Sequence, residues 1–310
     1  MFEPAYISAL KEGKLQERID LAKERLRECN ICPRNCGVNR IEGETGFCKI
    51  GERAVISSAH PHFGEEAPLV GSGGSGTIFM TSCNLQCVFC QNYEISHLME
   101  GQEVDTDALG GLIIGLQRLG CHNINFVTPS HVVPQILQAV KWAAEEGLRV
   151  PLVYNSGGYD SVETLKLLDG VFDIYMPDLK FMDSSASEEL MNAPDYPEVA
   201  HAAIIEMHRQ VGDLQINEKG LATRGLLVRH LVMPDDLADT RKAMRFLATE
   251  VSTNTYVNIM NQYRPCGRAH EYPQIDRSVS RNEYMDAINS ALEEGIERLD
   301  DRVSRRLRFF

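Results

Sequence analysis

The sequence predicts an α/β protein: a partial parallel (β/α)6 barrel with a small cysteine-rich subdomain at its N-terminus. Three observations predict it. From residue 75 onward, six short apolar runs alternate with helical stretches, the pattern left by βαβ crossovers feeding a parallel sheet. Each run ends in polar residues, and parallel sheets and barrels place ligand sites at the carboxyl ends of their strands. The cysteines cluster, with four at Cys29, Cys32, Cys36 and Cys48 and three at Cys83, Cys87 and Cys90. Six units are fewer than the eight of a closed barrel, so the barrel is expected to be open on one side.

In order along the chain, LQERIDLAKERLREC comes first as an amphipathic helix. Leu15, Ile19, Ala22 and Leu26 share one face and charged residues fill most of the other. It leads into the four-cysteine cluster, and residues 1–74 are expected as an N-terminal helix and metal-binding subdomain. Residues 75–310 are expected as the barrel with a C-terminal helix. GSGGSG precedes the first strand and opens no helix, so it fails as a phosphate-cradling loop and reads as a flexible lead-in. A flexible lead-in would let the subdomain lie across the open edge of the barrel as a lid serving the substrate step. The strands are expected at GTIFMTS, NINFVT, VPLVYNS, FDIYMPD, GLLVRHLVMP and YVNIMNQY. Between them, helices are expected at DTDALGGLIIGLQRLG, SHVVPQILQAVKWAAEEG, SVETLKLLDG, SEELMNAPDYPEVAHAAIIEMHRQVG and ADTRKAMRFLATEV, and RNEYMDAINSALEEGIERL closes the pattern.

Composition narrows the function classes. With 310 residues, 43% hydrophobic and 24% charged, the chain has room for one large domain of roughly 200–250 residues and an appendage. No apolar run reaches the ~18 residues of a membrane span. The start, MFEPAYISALKEGK, lacks the basic-then-apolar layout of a signal peptide, so a cytoplasmic location is expected. The net charge of −13 disfavours a nucleic-acid partner. The one local exception, Arg302, Arg305, Arg306 and Arg308, reads as a solvated helix face. Nine cysteines without a secretion signal point to metal or redox chemistry and away from disulfides. Cys121 and Cys266 stand alone as ordinary thiols. His60 and His62 in SSAHPHFGEE have metal-ligand spacing, but no cysteine set lacks a partner nearby, so they read as surface-loop histidines.

The three-cysteine run TSCNLQCVFCQN raises a question of number, because a closed structural zinc or iron–sulfur site takes four ligands. Three thiolates can hold three irons of a 4Fe–4S cluster and leave the fourth open. The alternative is zinc completed by a distant ligand such as His97 or His131. The stretch Cys83 to Cys90 resembles the C-x3-C-x-aromatic-C signature of the radical SAM superfamily, with Phe89 as the aromatic. The resemblance implies that the open iron is chelated by S-adenosylmethionine (SAM). Reductive cleavage then yields a 5′-deoxyadenosyl radical that abstracts hydrogen from a substrate. Over residues 75–265 the chain is similar to the branch containing pyruvate formate-lyase activating enzyme. By that likeness Asn92 contacts SAM, Asn155 and Ser156 of NSGGY lie near its ribose or methionine, and Asp178 and Lys180 of PDLK are polar contacts at the floor. VRHLVMPD resembles the branch's strand-ending arginine motif, which points to Arg229. Where the branch carries GGE, this chain has VTPSH, leaving Thr128, Ser130 or a backbone carbonyl to hold the SAM amino group. Each residue also has a plain reading. Asp178 and Lys180 at i, i+2 make a salt bridge, Asn155 and Ser156 make a turn, and Arg229 pairs with a carboxylate for packing.

Cys29, Cys32, Cys36 and Cys48 give C-x2-C-x3-C-x11-C. Zinc and a second 4Fe–4S cluster are both compatible with four thiolates. The resemblance implies a radical SAM enzyme, an oxidoreductase or lyase that works anaerobically and takes electrons from a flavodoxin or ferredoxin-like protein. Its branch activates glycyl-radical enzymes, so hydrogen abstraction from a glycine of a partner protein is expected. Radical modification of a small molecule or peptide, and a non-catalytic zinc-binding adaptor, are the alternatives.

Overall fold

In the computed structural model, which describes residues 2–300, the N-terminal third builds both an outer helical layer and an edge of the central sheet. Helices α1 (Ala5–Lys11) and α2 (Lys14–Glu24) meet at Gly13, whose φ of +74° makes the left-handed turn between them. Leu15, Ile19 and Ala22 are buried, as the apolar face predicts. Then follow β1 (Ala54–His62), α3 (Ala67–Val70), β2 (Ser75–Met80), α4 (Tyr93–Ser96) and β3 (Gln102–Val104). The crossover units are α5 (Thr106–Arg118), β4 (Ile124–Val127), α6 (Val133–Glu145), β5 (Leu152–Ser156), α7 (Val162–Leu167) and β6 (Ile174–Pro177). After them come α8 (Ser184–Met191), α9 (Tyr196–Val211), β7 (Gln215–Ile216), β8 (Ala222–Leu231), α10 (Thr240–Phe246), β9 (Tyr256–Met260) and α11 (Arg281–Glu293). The run from Arg302 to Arg308 lies outside the described residues.

Strands β2, β4, β5, β6, β8 and β9 pair in parallel and in chain order, one for each predicted run. This is the α/β architecture expected, with helices in every crossover. Val153 of β5, Ile174 and Met176 of β6, Leu227 of β8 and Tyr256 of β9 all pack in one buried cluster with Leu69 of α3. Side chains from so many strands meet on one face only if the sheet curls around them. The short α3 therefore sits inside the curl.

The periodicity did not reveal three antiparallel additions. β1 pairs with β2 and β3 pairs with β1, while β7 flanks β8. β1 is half-buried along most of its length, so it lacks the clean apolar alternation of a one-faced strand. Two expectations need correction. SEELMNAPDYPEVAHAAIIEMHRQVG is two helices, broken where Asn192 takes φ +50° and Pro194 offers no N–H. GSGGSG is a packed turn and not a loose lead-in. A Cβ on Gly73 would stand 2.1 Å from the Gly120 carbonyl oxygen, and one on Gly76 would stand 2.8 Å from that of Asn123. Ser75 and Gly76 already belong to β2.

One buried carboxylate ties the outer layer to the sheet. Asp173 accepts from the Ala5 backbone N–H at 2.9 Å through Oδ1 and from that of Leu152 at 3.0 Å through Oδ2. Burial, only partly offset by these donors, pushes its pKa up to about 7. Asp173→Ala strands two amide donors and is expected to cost about 1–3 kcal/mol, read from the midpoint of urea unfolding. An unchanged midpoint would show that water replaces the carboxylate without penalty.

Candidate active site

The loop after β2 gathers the second cysteine set. Its backbone turns sharply at Ser82 (φ +71°) and Gln86 (φ +52°), left-handed positions that are costly for residues other than glycine. In return, Cys83, Cys87 and Cys90 line one cavity of about 350 Å³ at the carboxyl ends of the parallel strands. The sulfurs meet donors there. The Leu85 N–H points to Cys83 Sγ at 3.3 Å, and the Ser96 hydroxyl lies 3.2 Å from Cys90 Sγ. Burial raises the thiol pKa of Cys83 and Cys87, and Lys180 beside Cys87 opposes it. A metal that displaces those protons would restore the thiolates.

Opposite the thiols, the ends of β5, β6 and β8 contribute one connected network. The Asp178 carboxylate accepts from Lys180 Nζ at 2.5 Å and from Arg229 Nε at 2.7 Å, while Arg229 Nη2 donates to Asn155 Oδ1 at 2.7 Å. Burial works to raise the pKa of Asp178, but Arg229 and Lys180 outweigh it and hold the carboxylate below its ordinary range. Lys180 is held protonated in the same way, since Asp178 and Cys87 overcome the burial that opposes its charge. The plain salt bridges foreseen for these residues are therefore real, and the same residues face the cavity. Tyr196 stitches the strand ends from behind: its hydroxyl lies 3.0 Å from each of the Gly157 and Asp178 carbonyl oxygens and accepts from the Lys180 N–H. Gly158, at φ +80°, leaves no room for a side chain, because a Cβ would stand 2.2 Å from the Asp178 carbonyl oxygen.

Of the residues singled out from the sequence, Phe89, Asn92, Thr128, Asn155, Ser156, Asp178, Lys180 and Arg229 line the cavity with the three cysteines. Phe89 is mostly a packing residue, edge-on to Phe181 and Tyr263. Ser156 uses its hydroxyl locally, donating to Asp160 at 2.6 Å and accepting from the Gly158 N–H. Ser130 is not among the lining residues; it is buried, close enough to Asp160 to favour that carboxylate's charged form. Neither His97 nor His131 lines this cavity. His62 and Glu65 do, joined by a 3.2 Å contact between Nδ1 and Oε1. The surface-loop reading of His62 missed this, because only the antiparallel pairing of β1 with β2 carries the segment after it into the barrel. Glu66 follows, buried, and accepts from Asn258 of β9 at 2.8 Å while its other oxygen has no hydrogen-bond partner.

The other cysteine set is gathered as well. Cys29, Cys32, Cys36 and Cys48 line one small cavity with Arg34, Arg40 and His131. Burial pushes the Cys32 thiol up to about 12, and the other three thiols lie close enough to add to that. The Phe47 N–H points to Cys36 Sγ at 3.4 Å, and the buried Arg40 guanidinium lies 3.9 Å from Cys29 Sγ. Among the described residues no group of three or more His, Cys, Asp or Glu side chains forms a ready single-ion site. Each set nonetheless brings its cysteines to the wall of one cavity, with amide, hydroxyl or guanidinium donors beside their sulfurs, a donor chemistry compatible with thiolate ligands.

Among curated proteins, the uncharacterized protein MJ0674 of Methanocaldococcus jannaschii is 34% identical over 289 residues, covering 91% of this chain and 79% of the relative. No protein-family model matches the chain. Among solved structures, methylornithine synthase (PylB) aligns with a TM-score of 0.49 at 16% identity, over 72% of this chain and 63% of that one. The chain thus spans less than two thirds of that structure's length.

Asp178→Asn leaves Lys180 and Arg229 as buried cations without their carboxylate, a change expected to cost about 3–5 kcal/mol near neutral pH. The folded pKa of Asp178 lies below its ordinary 3.8, so its contribution is intact above that value and is lost as the pH falls through the folded one. Urea unfolding of wild type and variant should therefore show a gap that narrows as the pH drops below 3.8. A gap of equal size throughout would contradict the ion-pair assignment.

Proposed function

This chain belongs to the family of the Methanocaldococcus jannaschii protein MJ0674, and we propose that it is a radical SAM enzyme. One observation carries the reading: Cys83, Cys87 and Cys90, spaced C-x3-C-x2-C on a single loop, share a cavity with the Asp178, Lys180 and Arg229 network at the strand ends. In this reading the three thiolates hold a 4Fe–4S cluster with one open iron. The bound cluster and SAM would supply reductive carbon–sulfur cleavage and a radical able to abstract hydrogen.

The chain's own residues do the rest. The Leu85 N–H and the Ser96 hydroxyl disperse charge on Cys83 and Cys90, and hydrogen bonds to sulfur tune a cluster's potential. Lys180 places a fixed cation beside Cys87, so accumulated negative charge on the thiolates is offset at short range. Asn92, Thr128 and Asn155 offer amide, hydroxyl and carbonyl groups around the same cavity, suited to the ribose and amino acid portions of SAM. Leu85, Phe89, Leu231 and Met260 complete the wall with apolar surface, which limits water around a reactive species.

Beyond the general reaction, the reading extends to hydrogen abstraction from a glycine of a partner protein. Electrons would come from a flavodoxin or ferredoxin-like donor in an anaerobic cytoplasm. Support for this extension is the likeness of NSGGY, PDLK and VRHLVMPD to the activating-enzyme branch, and the same radical could act instead on a small molecule or peptide. The four N-terminal cysteines are read as holding zinc or a second 4Fe–4S cluster.

Anaerobically reconstituted protein should be brown and should release 5′-deoxyadenosine from SAM when dithionite is added. Cys87→Ala should lower that yield to background, because one iron loses its thiolate and the open iron loses its placement. Undiminished cleavage in Cys87→Ala would overturn the assignment.

A further inference from the structure

The four-cysteine module is hydrogen-bonded to the loop that carries Cys83, Cys87 and Cys90. Residues 82, 84 and 86 of that loop are each hydrogen-bonded to it. The Ser82 hydroxyl donates to the Cys48 carbonyl oxygen at 2.5 Å, and the Gln86 side-chain amide reaches the Phe47 carbonyl oxygen at 3.4 Å. Arg34, between Cys32 and Cys36, donates through Nε to the Asn84 carbonyl oxygen at 2.8 Å. Its other nitrogens reach the carbonyls of Met191 and Asn192, and its guanidinium stacks 4.0 Å above the Phe47 ring. Even Thr81 is anchored: its carbonyl oxygen lies 2.9 Å from His131 Nε2, and the His131 carbonyl accepts from the Arg40 guanidinium that abuts Cys29. Asn84 itself lines the four-cysteine cavity, while its neighbour Cys83 lines the catalytic one.

These contacts matter because the loop they hold is strained. Ser82 and Gln86, the two residues at positive φ, are the same two whose side chains reach back to the segment Phe47–Cys48. A left-handed conformation in a residue other than glycine persists only when its surroundings over-determine it. Here the surroundings are turns of the short segment that carries Cys29, Cys32, Cys36 and Cys48, and metal binding by such a thiol set is coupled to folding.

We propose that the N-terminal metal site is the brace of the catalytic cysteine loop, with Arg34 as the positioning residue that joins them. Metal bound by the four cysteines sets the turns around Arg34 and Phe47. Those turns hold residues 81–86 in the conformation that presents three thiols to one cavity. The N-terminal site therefore loads before the catalytic one, and the catalytic loop loses its order when that site is emptied. This deepens the radical SAM reading and rests on it only for the cluster, not for the brace.

The brace is tested by hydrogen exchange in a Cys87→Ala background, where bound zinc or iron reports the N-terminal site. Arg34→Ala should keep that metal yet speed exchange across residues 81–92 by at least about tenfold, leaving α11 unchanged. Cys32→Ser with Cys36→Ser should lose the metal and show the same acceleration. Slow exchange of this loop in Arg34→Ala, with the metal retained, overturns the proposal even where the cysteine variant fails to fold. With Cys87 restored, Arg34→Ala should also lose most of the SAM-induced change in the electron paramagnetic resonance (EPR) signal of the reduced cluster. Arg34→Lys, which keeps a donor for the Asn84 carbonyl, should recover part of it. A wild-type SAM response in Arg34→Ala contradicts the brace. Absence of any response in the wild type refutes the radical SAM reading, and the exchange experiment then decides the brace alone.

Discussion

Asp178 holds one carboxylate between two cations, and the interior of the barrel is organised around it. Lys180, just past the end of β6, and Arg229 of the neighbouring β8 are nearly as buried as the carboxylate they share. Removing the carboxylate would leave two uncompensated cations in a low-dielectric interior, while losing either cation would leave the other still paired with Asp178. The geometry that permits the trio is itself exacting. Gly158 must lack a side chain for the β5 turn to pass the Asp178 backbone, and the Tyr196 hydroxyl must meet two carbonyls and an amide. With the trio in place, a cation is presented to Cys87, and Arg229 extends to Asn155 on one side and lies near Glu65 and Glu66 on the other. The thiol loop, the strand ends and the segment after β1 thus share one electrostatic centre.

The parallel core was legible because its causes are local. Six apolar runs bounded by turn residues each had to be buried on both faces, and the helices between them supplied the covering layer. The polar strand ends were legible for the same reason: a parallel sheet brings them to one edge whatever its curvature. What sequence periodicity could not show were effects of tertiary pairing. AVISSAHPH has no clean alternation, and it becomes a strand because β2 offers a free edge. Through that pairing His62 and Glu65 enter the cavity, and a stretch that looked like a surface loop becomes part of the site. Ser130 illustrates the converse, since its neighbours Thr128 and Asn155 face the cavity while it turns inward toward Asp160. GSGGSG was misread because small residues serve close approach as often as freedom, and only the distance to Gly120 tells them apart.

The relation between the two cysteine sets follows from the same β1 pairing. The chain leaves the four-cysteine turns near Ile50, enters β1 at Ala54 and, past α3, returns along β2 to the three-cysteine loop. The four-cysteine turns are joined to the loop by short hydrogen bonds from Ser82 and Arg34, so order in one has a mechanical path to the other. Strain at Ser82 and Gln86 is the element that such a path would control.

The proposed radical SAM function turns on three thiolates leaving one metal position open for a chelating ligand. SAM isotopically labelled on its amino nitrogen, added to the dithionite-reduced protein, tests this by pulsed EPR. A hyperfine coupling between the cluster and the labelled nitrogen is expected, and it should disappear in Cys87→Ala. A cluster signal that shows no coupling to the label, with a line shape indifferent to SAM, would contradict that function.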